Sequence, residues 1–392
     1  MESERSPSSL AARLREVASL LDAQFLGKRE VVRLLLISIV AGEHAVIIGP
    51  PGTAKSALLR GLARLLDARY FEYLLTRFTE PNEIFGPVDI AAFRQGTYRR
   101  RTAGMLPEAE IVFLDEVFKS NSAILNTLLT LLNERRFTSG GEVIECPLVS
   151  VFGASNEVPG EEFLEALFDR FLLRVRSDNL DAYHFNDLLE CGLAEELRRM
   201  QGGTTSPRLN SQDLARLPEK LAPYLELSSE LRSAYKSLVF QIRAEGIGLS
   251  DRRVVKVLKL IGASAYLDGR PRADQGDLFV LKHIWNSEEQ ATVLEGIVQP
   301  VIDAFFRDNP KRAEASAPQF SIVQLEGEVD RIRRVLTAQS PPTDLQLFAQ
   351  LRALGEIRTT LAQSVDPRAK DLEGRVKNLL EASLQGTGSM GR

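Results

Sequence analysis

The chain has 392 residues, with 49 Lys and Arg against 53 Asp and Glu, a net charge of −4 and a sequence pI near 5.7. That length allows two or three domains, and the mild acidity leaves no global footprint for nucleic acid or an anionic membrane. Two cysteines, Cys146 and Cys191, are too few and too far apart for a disulfide framework or a metal site, and the apolar run 34–41 is far short of a membrane span, so a cytoplasmic protein is expected.

The first residues, with Glu2 and Glu4 beside Arg5, lack the apolar core of a secretory leader. Leu10, Leu14, Val17 and Leu21 then recur at helical spacing, Phe25-Leu26-Gly27 interrupts, and a second apolar helix over 31–40 leads into a β-type run at 45–48. That run breaks into Gly49-Pro50-Pro51-Gly52-Thr53-Ala54-Lys55-Ser56, after which Ala57, Leu58, Leu59 and Leu62 resume helical spacing. The order strand, loop, helix suits phosphate binding. Backbone N–H groups at the positive end of a helix can cradle phosphate oxygens, Lys55 can reach β- and γ-phosphates, and the Ser56 hydroxyl can ligate Mg²⁺. The phosphate-loop pattern has Gly where this chain has Ala54. A Cβ fits if that position keeps a helical rather than a left-handed conformation.

A second strand is expected over 70–74, followed by loop chemistry over 78–86 and a hairpin-like insertion over 86–104 around Gln95-Gly96. Arg99, Arg100 and Arg101 on its return limb form a basic triplet, usually a solvated face. Ile111-Val112-Phe113-Leu114 reads as a strand buried on both faces, with Asp115 and Glu116 at the end where parallel sheets bind ligands. Asp115 would hold Mg²⁺ through water, and Glu116 would orient or deprotonate an attacking water. Asn121 starts a helix bearing Ile124, Leu125, Leu128, Leu129 and Leu132, and a hairpin over 137–143 turns at Ser139-Gly140-Gly141. The next strand, 148–152, leads to Asn156 at the same sheet edge as Asp115. Its amide could bond a γ-phosphate or the attacking water, or Asn156 could simply form a turn. Phe168-Asp169-Arg170-Phe171 precedes a last strand over 172–175, which puts Arg170 at an exposed edge.

From 181 to 200 the pattern is helical, 201–207 reads as a linker, and helical signals resume from 211 to about 309, including Val254, Val255, Leu258, Ile261 and Ala265. Ser250-Asp251 caps that helix, and Arg252 and Arg253 lie in its first turn, where cations oppose the macrodipole and call for an anionic partner such as a nucleotide phosphate. After Pro310 three stripes follow: Leu325, Val329, Ile332, Leu336; then Phe348, Leu351, Leu354, Ile357, Leu361; then Leu372, Val376, Leu379, Leu380. Pro341-Pro342 and Asp366-Pro367 separate them, so a three-helix unit is expected, with 386–392 disordered.

This ordered set resembles the AAA+ superfamily, and within it the MoxR family and its RavA-like branch, over about residues 20–290. Gly49 to Ser56 resembles Walker A, Asp115-Glu116 Walker B, Asn156 sensor 1, Arg170 the arginine finger and Arg252 sensor 2, with Arg253 the alternative. The insertion at 86–104 resembles the helix-2 insert, and 137–143 the pre-sensor 1 hairpin. The resemblance implies an α/β P-loop core with a parallel sheet (1–200), an α-helical lid (201–309), and then the small helical bundle (310–385) and tail (386–392). It also implies ATP and Mg²⁺ as cofactors, homo-hexameric rings with nucleotide between subunits, and chaperone-like remodelling or activation of partner proteins, often one with a von Willebrand factor A domain. Two other classes stay open: a nucleic-acid motor, which the acidic charge disfavours, and an ATPase module for cofactor or metal insertion.

Overall fold

The computed structural model describes residues 9–179, 206–316, 322–336, 344–362 and 367–387, with a few helical positions between 179 and 206. The helix expected over 181–200 falls mostly outside the described residues, as do residues 201–205 of the linker expected over 201–207. So do Cys191, Pro341-Pro342, Asp366 and residues 388–392. The chain divides into two units, residues 1–179 with 194–302, and residues 180–193 with 303–392.

The first unit begins with α1 (Leu10–Gln24) and α2 (Arg29–Ala41), whose buried residues include Leu14, Val17, Leu21 and an almost unbroken run from Val31 to Ala41. Next come β1 (Ala45–Ile48), α3 (Lys55–Leu65) and β2 (Tyr70–Leu74), the short helices α4 (Pro81–Phe85) and α5 (Ile90–Arg94), and β3 (Ile111–Asp115). The core closes with α6 (Ser122–Glu134), the hairpin β4 (Arg136–Ser139) and β5 (Glu142–Glu145), β6 (Ser150–Ser155), α7 (Glu162–Phe168) and β7 (Leu173–Arg176). Five strands form one parallel sheet in the order β2-β3-β6-β1-β7. Every residue of β1 and β6 is buried, as helix-covered parallel strands require. Ile48 pairs with Ser155 and Leu114 with Gly153, so the segments leaving β1, β3 and β6 emerge at one sheet edge. The backbones are close there: a Cβ on Gly49 would lie 2.2 Å from the Ser177 carbonyl oxygen, so only glycine fits.

The insertion at 86–104 differs from the expected hairpin. One bridge, Val88 to Arg100, joins its limbs, and α5 fills the middle. Asp89 explains this, because its carboxylate accepts from the Ala91 and Ala92 N–H groups and caps a helical turn at that point. The β4–β5 hairpin does form, with Gly140 and Gly141 at positive φ in its turn.

The helical part of this unit holds α8 (Ser211–Ala215), α9 (Leu217–Leu221), α10 (Ser229–Ala244), α11 (Asp251–Leu267), a 3₁₀ stretch (Gln275–His283) and α12 (Glu288–Asp308), the last reaching beyond the unit's end at Ile302. Ser250 caps α11, accepting from the Arg253 N–H. Its buried face includes Arg253, Val257, Leu260, Ile261 and Ser264, whereas Val255 is 64% exposed. α11 lies along α2 and is tied there by ion pairs: Lys256 and Lys259 hold the buried Glu43 at 2.6 and 2.8 Å, and Arg33 meets Asp268 at 3.1 Å. Burial opposes charge on Glu43, yet the two ammonium groups outweigh it and hold its carboxyl below the usual range.

The second unit contains α13 (Pro310–Ser316), α14 (Ile322–Leu336), α15 (Asp344–Ala362) and α16 (Pro367–Thr387). Leu325, Val329 and Ile332 meet Leu354, Ile357, Leu361, Leu372 and Val376 in one core, with Leu336, Leu379 and Leu380 packed at its margin. The Phe348 side chain lies outside the described ones. Gly386 and Thr387, expected in a disordered tail, belong to the last turn of α16.

Candidate active site

The loop between β1 and α3 is shaped for an anion. The backbone N–H groups of Gly52, Thr53, Ala54, Lys55 and Ser56 have no carbonyl partner among the described residues, and they open an eleven-residue helix at its positive end. The Lys55 ammonium, nearly buried, donates to the Gly49 and Pro50 carbonyls at 2.7 and 3.0 Å. Burial holds its pKa below the usual lysine range, with the charges of Asp115 and Glu116 offsetting part of that shift. Thr53 returns its hydroxyl to the Pro50 carbonyl and tightens the loop. Ala54 departs from the expected condition. Its φ of 62° and ψ of 21° are left-handed, and it serves as the N-cap residue of α3. The conformation belongs to the loop and is kept despite the Cβ, because Lys55 and Ser56 must enter the helix from it.

Among the described residues no three His, Cys, Asp or Glu side chains gather as a metal cluster. The side chains at this edge that could hold a divalent cation are Ser56, at the start of α3, and Asp115, at the end of β3, with phosphate oxygens and water completing its shell. Mg²⁺ suits so sparse a donor set. Asp115 closes β3, and its Oδ1 accepts from the Glu116 N–H at 3.0 Å. Glu116 is left-handed as well, with φ 53° and ψ 43°, which turns its side chain out of the strand line. Its carboxylate is held on both oxygens: the Asn156 amide donates to Oε1 at 2.8 Å, and Lys119 lies 3.2 Å from Oε2. The loop, Asp115, Glu116 and Asn156 therefore share one sheet edge, with Glu116 and Asn156 in direct contact.

The three arginines do not join them. Arg170 precedes β7 and so lies at the opposite end of the strands, at least one strand length, roughly 13 Å, from the phosphate loop. β7 is an edge strand, so the turn carrying Arg170 is on a flank of the sheet. Arg252 donates to the Asn133 side chain at 3.0 Å and is exposed, whereas Arg253 is 3% exposed and faces Asp169 at 3.5 Å. No hydrogen bond or ion pair joins the helical part to residues 49–56 among the described residues.

Sequence reasoning missed Lys119, Phe118 and Arg174. Lys119 was visible as a cation three residues after Glu116. Arg174 was visible as a charge inside the otherwise apolar run Leu172-Leu173-Arg174-Val175. Phe118 packs on Phe168 and Phe171, with ring centroids 5.6 and 6.3 Å apart, a pairing with no local signal.

The family description "MoxR domain in the MoxR-vWA-beta-propeller ternary systems" matches residues 12–219, and an AAA lid domain matches residues 225–298. An uncharacterised protein of Methanocaldococcus jannaschii is 39% identical over 280 residues, 71% of this chain and 72% of that one. Chaperone MoxR1 of Mycobacterium tuberculosis is 26% identical over 259 residues, 64% of this chain and 63% of its own. A solved protein from Cytophaga hutchinsonii, provisionally named an ATPase, superposes with a TM-score of 0.59 at 21% identity over 75% of this chain and 94% of that one, a likeness of fold. With more than half of its length matched by the MoxR description and an AAA lid domain matched directly after it, the chain belongs to the MoxR family of AAA+ ATPases.

Proposed function

We propose that this protein hydrolyses ATP with Mg²⁺ as a homo-hexameric ring and uses the cycle to remodel or activate a partner protein in the cytoplasm. The observation that supports the reading is the grouping of Lys55, Asp115, Glu116 and Asn156 at one sheet edge, with Arg170 before β7 at the other end of the strands and Arg252 bonded to Asn133 instead of to the loop. Gly49, Pro50, Pro51, Gly52 and Thr53 shape the loop, whose free N–H groups bind phosphate oxygens. Lys55 exchanges its two carbonyl partners for the same oxygens. Ser56 and Asp115 would hold Mg²⁺, which supplies charge neutralisation on the transferring group. Glu116 accepts the proton of the attacking water, and Asn156 orients its Oε1. Arg170, and Arg252 as sensor 2, would stabilise phosphoryl charge in the neighbouring subunit's site, because neither approaches the phosphate loop of its own chain. Arg253 is too deeply buried to fill the sensor 2 role.

The RavA-like branch is read from the resemblance alone, since an alanine at the position of Ala54 is also seen in that branch. The ternary systems named by the matching description support a partner with a von Willebrand factor A domain. The case for a nucleic-acid motor is weaker because each of its basic side chains has a partner at the surface. Arg99 and Arg101 flank Asp89 at 3.8 and 3.7 Å, Arg100 donates to Asn82 at 2.7 Å, and Arg136 meets Glu145 at 3.5 Å. No helix of the described residues is long and apolar enough to cross a membrane.

The test pairs two variants. Lys55→Ala should lose nucleotide binding, while Glu116→Gln should bind ATP and hydrolyse it at least roughly 100-fold more slowly, since a general base typically contributes that much. Wild-type turnover in Glu116→Gln would refute the assignment.

A further inference from the structure

The turn that carries Arg170 is gripped from the lid. Asp169 Oδ2 faces Arg170 Nη1 at 3.4 Å, and its Oδ1 faces Arg253 Nη1 at 3.5 Å. Arg253 is anchored in turn: Nη2 donates to the Ile284 carbonyl at 2.6 Å, and Nη1 shares Asn286 Oδ1, at 3.1 Å, with Arg174 at 3.2 Å. Arg174 is fully buried, donates to the Phe168 and Leu172 carbonyls, and lies 4.7 Å from the Phe168 ring centroid. Arg170 and Arg253 thus flank Asp169, Arg174 joins Arg253 through Asn286, and the Nε atoms of all three arginines are buried without a hydrogen-bond partner. Like charges in so dry a place repel strongly, and one carboxylate among them offsets that repulsion. Arg253, with its side chain 4% exposed, cannot move without unpacking α11. Arg170, at 28%, can.

We propose that Asp169 and Arg253 are positioning residues for Arg170, so that the seating of the lid on its own core sets how well that core's finger serves the neighbouring subunit. The inference rests on the reading of Arg170 as acting between subunits. Burial separates the roles: Arg253 touches no phosphate and acts through Asp169, whereas Arg170 is the group presented outward. Charge sets the direction. Without the Asp169 charge, Arg170 is pushed from the two buried arginines and loses its held orientation, while the chain's own site, at the far end of the strands, is untouched.

The test uses full-length chains mixed in equal amounts under conditions of subunit exchange, with ATP turnover as readout. Asp169→Asn alone is expected to lower kcat about tenfold with the KM for ATP unchanged, a pattern that marks a contribution made in the transition state. Mixed with Glu116→Gln, whose finger is intact, it should regain part of the lost activity. Mixed with Arg170→Ala it should gain nothing, since neither chain then supplies a working finger. In one chain, Asp169→Asn with Arg170→Ala should be no slower than Arg170→Ala alone. Arg253→Met is expected to repeat the pattern, and if it precipitates, Asp169→Asn carries the test. Wild-type kcat in Asp169→Asn overturns the proposal, and so does rescue by Arg170→Ala in place of Glu116→Gln. The underlying reading fails separately, and takes the proposal with it, if Glu116→Gln and Arg170→Ala exchange subunits and still do not complement.

Discussion

Ala54 offers the sharpest test of the phosphate loop, because the sign of a single substitution separates two backbone conformations. Its φ of 62° places a Cβ where L-residues pay a penalty of about 1–2 kcal/mol. Replacing it by glycine removes that strain. The unfolded chain gains freedom in exchange, which returns about 0.4–1 kcal/mol. Ala54→Gly should therefore stabilise the protein by a net 0 to roughly 1.5 kcal/mol, which for a domain of this size raises Tm by no more than about 5 °C. If Ala54 were helical instead, the same substitution would cost about 0.5–1 kcal/mol. Urea unfolding of the nucleotide-free protein, with ATP turnover measured in parallel, makes the comparison. Destabilisation beyond about 0.5 kcal/mol would refute the left-handed assignment, whereas retained turnover with equal or greater stability agrees with it.

His44 is 2% exposed, accepts from the Val151 N–H on Nδ1 and meets the Leu132 carbonyl through Nε2, so it is held neutral and burial lowers its pKa to about 4. Between pH 6.5 and 4 the unfolded chain takes up a proton that the native state refuses, so stability should fall by about 3 kcal/mol across that window and be unaffected above it. His44→Gln should flatten that part of the pH dependence in urea titrations, and an unchanged curve would count against the buried neutral imidazole. Chain termination after Asn309 should leave a soluble ATPase core, because Leu325, Val329 and Ile332 close on other residues of their own unit. Insoluble or inactive product would show that the C-terminal helices are needed by the core.

Much of the candidate site was legible because it is written in short, local patterns. The apolar runs 45–48 and 111–114 are buried on both faces, and a parallel sheet then delivers the residues that follow them to one edge. The contact of Asn156 with Glu116 follows from that geometry alone. Ala54 was misread because propensity argues against a left-handed alanine, while the phosphate loop dictates its own backbone. α5 was missed because the turn signal at Gln95-Gly96 drew the whole of 86–104 into a hairpin and hid the capping power of Asp89. The choice between Arg252 and Arg253 was beyond local reasoning, since it depends on where α11 docks. That is set by Glu43 reaching Lys256 and Lys259, more than 200 residues away in sequence.

The central claim is a catalytic site completed between subunits, and one measurement reaches it most directly: ATP turnover of mixed Glu116→Gln and Arg170→Ala chains. Each variant alone should bind ATP and hydrolyse it poorly, the first for want of a base and the second for want of a guanidinium on the transferring phosphoryl group. Mixed and allowed to exchange, some interfaces combine an intact site with an intact finger. The account predicts a clear gain over either component. If the mixture stays as inactive as its parts while labelled subunits demonstrably exchange, Arg170 does not act across the interface, and the ring mechanism proposed for this chain is contradicted.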